Sequence, residues 1–241
     1  MAENCSNCNA LIAGNYCSDC GQKVKLERIN GHYIKHEIEH VLHFEKGILY
    51  TIKALLLHPG ASVREFISEN RNRLVKPIIF IVVTSLIYSL TAHFFHIEEG
   101  YINIEEAQKA SAVNYLNQWV QGHYGYANLI MGIFIAAWVR LFFRKHDVNF
   151  YEIVILLCFV IGIEMLLCAL FALLEGTTHL ALLPIASVVA LIYTTWGIGN
   201  FFDGKKAVNY VKAFFAYVLG TVSFSVAILI IGTVADLLLK H

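Results

Sequence analysis

Five stretches of this chain are each long and apolar enough to cross a bilayer, and nothing else in the sequence limits its fold so tightly. A hydrocarbon core about 30 Å thick needs roughly 20 apolar residues of helix, each rising about 1.5 Å. Residues 77–97, 124–143, 150–174, 179–199 and 213–239 meet that requirement. Pro77 opens the first span, where its missing N–H is no loss, and Pro184 falls in the first turns of the fourth, where it is tolerated. Composition agrees: 57% of positions are hydrophobic and 15% charged, whereas soluble domains average about 45–50% and about 25%. An ordinary soluble enzyme and an intrinsically disordered chain are both excluded on those numbers. A formal charge of zero argues against a specific nucleic-acid partner. The expected fold class is therefore an all-α integral membrane protein of about five transmembrane helices, with the lipid bilayer as its first partner. Three parts are expected: residues 1–28, residues 29–76 and the five-span domain 77–241.

Net neutrality hides an asymmetry. With the spans alternating sides, the connections hold sixteen Lys and Arg on the side of the N-terminal segment and two on the other. Cationic loops stay in the cytosol, so the N-terminus is expected inside and the C-terminus outside.

Four of the six cysteines lie within residues 5–20, as Cys5-x-x-Cys8 and Cys17-x-x-Cys20. Two such knuckles wrap four thiolates tetrahedrally around one zinc, with a tight hairpin through Gly14-Asn15 closing the short linker. The alternatives are a rubredoxin-like iron site, two disulfides or redox chemistry; a reducing cytosol disfavours the disulfides. Four ligands leave no open position, so one structural zinc per chain is the expected cofactor and a zinc ribbon the expected first domain. Cys158 and Cys168, inside the third span, read as small apolar fillers.

Between ribbon and membrane, residues 31–57 carry an apolar face (Ile34, Ile38, Val41, Leu42) opposite a histidine face (His32, His36, His40, His43). Two short helices are expected, about 31–45 and 47–57, lying along the cytosolic interface. His58-Pro59-Gly60 then reads as a turn, and Ser62-x-x-Glu65 as the capping box of a third helix ending near Asn70. Arg71, Arg73 and Lys76 form a collar at the lipid headgroups. His36-Glu37-x-x-His40 matches the H-E-x-x-H helix of zinc metallopeptidases, in which two imidazoles hold metal and the Glu is a base. No third ligand follows, and a solvated polar face explains the same residues.

Glu164 falls near the midpoint of the third span, about 18 Å from Glu152 at the helix rise. An ionised carboxylate at that depth costs about 3 kcal/mol, so it must face other helices or water. Ser85, Tyr88 and Ser89, Thr194 and Thr195, and Ser223 lie at similar depth in other spans. The residue reads either as part of a proton or cation relay or as a neutral hydrogen-bonding tie between helices.

The string from the paired cysteines through Cys20-Gly21-Gln22-Lys23, then Thr51-x-Lys53-x-Leu55-Leu56-x-x-Pro59-Gly60 and the basic residues before Pro77, resembles one family. It is an uncharacterised bacterial group of multi-span membrane proteins with an N-terminal zinc ribbon, known as a domain of unknown function. Glu69-Asn70-Arg71 stands where the family pattern carries a glycine-lysine-arginine run. The resemblance spans about residues 1–95 and implies a bacterial inner-membrane location and the architecture above, with no activity attached. Three functions follow from the residues. The first is a non-enzymatic membrane protein whose cytosolic ribbon docks a protein partner, with homo-oligomers an option. The second is a channel or transporter using Glu164. The third is a membrane-associated zinc hydrolase through His36, Glu37 and His40.

Overall fold

The computed structural model describes residues 14–15, 18–19, 47–71, 73–95, 97 and 112–239. The chain divides into two compact units, Met1–Glu45 and Lys46–His241. Within the first, Gly14 and Asn15 form an exposed bend and Ser18 and Asp19 an exposed turn in which Ser18 Oγ donates to Asp19 Oδ1 at 3.0 Å. The four cysteines, the His36-Glu37-x-x-His40 motif and the helix expected over 31–45 lie outside the described residues.

The second unit is all-helical among the described residues. Its elements are α1 (Ile48–Leu57), α2 (Pro59–Ser68), α3 (Pro77–Phe94), α4 (Ala112–Gly122), α5 (Tyr124–Phe142), α6 (Phe150–Thr178), α7 (Leu183–Phe201) and α8 (Ala207–Leu239). Five of them, α3 and α5 to α8, are long and apolar enough to cross a membrane. They are the five stretches read from the sequence, with adjusted ends. The third span runs on to Thr178, where His179 turns into the left-handed region at φ 58° and stops the helix. The fourth begins four residues late, at Leu183, because Glu175 reaches back from α6 to accept the Leu182 and Leu183 N–H groups at 2.7 and 2.8 Å. Glu175 thereby supplies a cap to two orphan donors of a helix that has no capping side chain of its own.

α6 sits at the centre. Its sequence is apolar around the full circumference, which suits a helix covered on all sides. Ile153, Leu156, Phe159, Val160, Ile161 and Ile163 are all fully buried or nearly so. It packs against α3, α5 and α7, while α8 lies on α5 and α7 and shows most of its length to the surroundings. Lipid tails are as apolar as leucine, so what holds such helices together is close packing and interhelical hydrogen bonds. Both are present. Asn128 donates to Ser85 Oγ at 3.1 Å between α5 and α3, and Trp138 donates to Ser223 Oγ at 2.9 Å between α5 and α8. Gly220 of α8 lies so near Ile135 that an added Cβ would meet its Cα at 2.5 Å.

The helices alternate in direction, so the start of α3, the end of α5, the start of α6, the end of α7 and the start of α8 share one end of the bundle. Phe143 and Phe202, just past α5 and α7, stack there with centroids 4.0 Å apart. Asn149 and Glu152 form the capping box that opens α6, through Glu152 N–H to Asn149 Oδ1 at 2.9 Å and Asn149 N–H to Glu152 Oε2 at 2.7 Å. Every described lysine and arginine belongs to this end, the basic end of the bundle. At the opposite end α4, a helix not expected in the 98–123 loop, lies along α8, with its first N–H held by Asp236 Oδ1 at 2.7 Å.

α1 and α2 cap the basic end. Between them stands a single residue, His58, which Pro59 forces out of helical geometry (φ −141°, ψ 62°). The expected turn at 58–60 is thus one residue long, and α2 starts at Pro59 rather than at Ser62. The expected capping box does not form. Ser62 Oγ donates instead to Ala54 O at 3.2 Å, and Glu65 pairs with Arg73, because Ser62 is already one turn inside the helix. Thr51 Oγ1 accepts the buried Val75 N–H at 3.1 Å and so pins the segment that leads into α3. Thr51→Val is expected to strand that donor and cost about 1–2 kcal/mol. Thermal unfolding of the detergent-solubilised protein checks this, with Thr51→Ser, which keeps the acceptor, close to wild type.

Candidate functional site

Two places gather polar chemistry, one at the basic end and one inside the bundle. At the basic end, α1–α2 and α7 satisfy each other's exposed helix ends. The Arg64 guanidinium donates to Asn200 O at 2.8 Å and Phe201 O at 2.7 Å, supplying a cation and two donors where α7 runs out of its own. In return Tyr193 of α7 donates its hydroxyl to Leu55 O, near the end of α1, at 3.1 Å. The side-chain-free face of Gly60 lets α2 approach this corner: a Cβ there would stand 2.5 Å from both Asn200 C and Phe201 N. Leu55, Val63 and Phe66 fill the joint, with Phe66 edge-on to Phe159 of α6 at 5.2 Å. Leu55 and Gly60 therefore act in packing, and Thr51 in holding the segment before α3.

On the outer side of this cap a cleft of about 360 Å³ opens between α1 and α2. Lys53, His58, Glu65 and Arg73 line it together with Tyr50 and Asn70, over a floor that includes Leu57, Phe66 and Leu74. Arg73 is engaged by the Glu65 carboxylate and the Tyr50 hydroxyl, and its charge also lies 5.4 Å from the Tyr50 ring centroid. Those two bonds, Glu65 first, hold the Arg73 proton more tightly than usual. Of the expected headgroup collar, Arg71, Arg73 and Lys76 are all exposed, and Arg73 also lines the cleft. Elsewhere at this end, the Lys206 ammonium beside Asp203, helped by the Lys205 N–H, keeps that carboxyl below the ordinary range.

Inside the bundle, Glu164 is buried and both of its oxygens are engaged. Thr194 of α7 donates to Oε2 at 2.8 Å, and Tyr217 of α8 donates to Oε1 at 2.7 Å. One carboxyl thus ties three spans. Thr194 was among the residues at matching depth. Tyr217 escaped sequence reasoning because depth counting put it a turn and a half nearer the basic end than Ser223, and only the length of the tyrosine side chain brings its hydroxyl to Glu164. Ser223 is instead taken by Trp138, and Ser85 by Asn128. Thr195 is half-buried, and its buried hydroxyl has no partner among the described residues. No group of three or more His, Cys, Asp or Glu side chains placed to hold a metal occurs among the described residues.

No curated protein and no solved structure matches the chain. A short part of it does match a family: residues 45–89, which make up α1, α2, the connecting segment and most of α3, fit the model described as Protein of unknown function (DUF3667).

Proposed function

We propose that the chain is a non-enzymatic multi-pass protein of a bacterial cytoplasmic membrane, whose zinc ribbon and juxtamembrane helices form a cytosolic platform for docking a protein partner. The observation that carries this reading is the clamp at the basic end. Arg64, Gly60, Tyr193 and Leu55 join α1–α2 to the end of α7 through buried packing and three helix-capping bonds. A segment that merely led the chain into the bilayer would have no need of such a joint. A platform does, because the chain before Gly47 then leaves from a fixed point on the bundle.

Sidedness supports the compartment. The basic end carries every described lysine and arginine, and cationic loops stay in the cytosol. Cys5, Cys8, Cys17 and Cys20 precede that end in the chain, and their thiols stay reduced in the cytosol, ready for one structural zinc. The polar groups inside the bundle fit a scaffold, since both Glu164 oxygens are spent on tying helices.

Two measurements test the reading. Metal analysis of the purified protein should return one zinc per chain, lost in Cys5→Ser and Cys17→Ser and kept in His36→Ala. Zinc that leaves with His36 and His40 while surviving the cysteine changes would replace the ribbon with the hydrolase reading. In intact cells, a cysteine introduced as Lys205→Cys should react with a membrane-impermeant maleimide only after permeabilisation. Labelling from outside would invert the topology and remove the platform from the cytosol.

A further inference from the structure

The geometry points to a lipid site: the cleft between α1 and α2 binds the phosphate-bearing headgroup of an anionic phospholipid. Its volume of about 360 Å³ lies within the range of small-ligand pockets and suits a headgroup rather than a folded partner. Lys53 and Arg73 line it, and the single carboxylate in the lining, Glu65, is already committed to Arg73. Lys53 has no ion-pair partner among the described residues and is exposed. An entering anion therefore meets one unengaged ammonium and one guanidinium that shares its donors between Glu65 and the Tyr50 hydroxyl. The floor is apolar, and Leu57, at its edge, leaves 55% of its surface exposed. A site with cations at the rim and hydrocarbon beside them matches a lipid, which carries its charge and its chain together, better than it matches free phosphate. Position agrees, because the cleft adjoins the segment leading into Pro77, the first residue of a membrane-length helix. Cationic side chains at this level sit in the field of anionic headgroups. The site rests on the membrane reading alone and stands whether or not the ribbon docks a partner.

The full chain, purified and reconstituted in phosphatidylcholine nanodiscs, is titrated with phosphatidylglycerol, and retained lipid is counted by native mass spectrometry. Wild type is expected to retain phosphatidylglycerol about tenfold over phosphatidylcholine, and Lys53→Glu to lose most of that preference with an unchanged unfolding midpoint. Lys205→Glu reverses an exposed charge at the same end but outside the cleft, and should leave the preference intact. Equal preference in Lys53→Glu and wild type would overturn the site. So would an equal loss in Lys205→Glu, which would mark a diffuse surface attraction, or displacement of the lipid by millimolar inorganic phosphate, which would mark a soluble anion as the ligand.

Discussion

Gly60→Val is expected to detach the α1–α2 cap from the bundle and to lower the unfolding midpoint by about 5–10 °C, equivalent to about 3 kcal/mol. The clash is steric and leaves little room for repair. A Cβ at residue 60 would stand 2.5 Å from the carbonyl carbon of Asn200 and from the amide nitrogen of Phe201, and both are backbone atoms that no rotamer change can withdraw. The helix must back away, and in doing so it lengthens the Arg64 bonds to Asn200 O and Phe201 O. Two carbonyls at the end of α7 then lose their donors together with a favourably placed charge. A Gly→Ala change at Gly122, where an added Cβ meets nothing within 4 Å, is the control for the loss of a helical glycine as such. Differential scanning fluorimetry in detergent reads both. If Gly60→Val unfolds at the wild-type midpoint, α2 does not rest on α7, and the clamp behind the platform reading fails with it.

Glu164→Leu is expected to cost about 2 kcal/mol even though it replaces a carboxyl with a hydrocarbon of similar size inside an apolar bundle. The substitution leaves the Tyr217 hydroxyl without its acceptor in a place where an unsatisfied donor costs about 1–3 kcal/mol. Thr194 suffers less, since a helical threonine can return its hydroxyl to a carbonyl in the preceding turn. Tyr217→Phe alone should cost about 1 kcal/mol, within the range of interhelical bonds measured in membranes. The double change Glu164→Leu with Tyr217→Phe should recover most of the loss, because removing both partners leaves nothing unpaired. That sign pattern identifies a tie between helices. A Glu164→Leu protein as stable as wild type would show that the carboxyl holds nothing together.

The parts legible in the sequence were those set by properties of one helix at a time. The spans at 77, 124 and 150 start where the apolar runs start, since the length of hydrocarbon to be crossed is a requirement on each segment separately. The central place of α6 was not legible, because α7 and α8 lack a polar face just as α6 does, and α8 nevertheless lies on the outside. The break at His58 also follows from local chemistry, as a residue before proline, whereas the capping box at Asn149 went unread. The candidate sites were legible only in outline. Glu164 announced itself as a charge out of place, and Thr194 as a hydroxyl at its depth, but the tyrosine that completes the triad sits at a different depth. The role of Glu175 was equally hidden, since its targets, Leu182 and Leu183, carry nothing in their side chains to mark them.

By itself the sequence determined that this is a chain of membrane-length helices with most of its cations in the connections on one side, because burial in hydrocarbon and the cost of moving charge through it are decided residue by residue. Tertiary structure alone decided which helix ends meet. Arg64 finds α7 across 136 positions of sequence, Tyr193 finds α1, and the Ser62–Glu65 pair that looked like a cap serves two other contacts. Hydrogen-bond partners at helix ends depend on distances of a few tenths of an ångström between segments remote in the chain, and no local pattern of residue types encodes those distances.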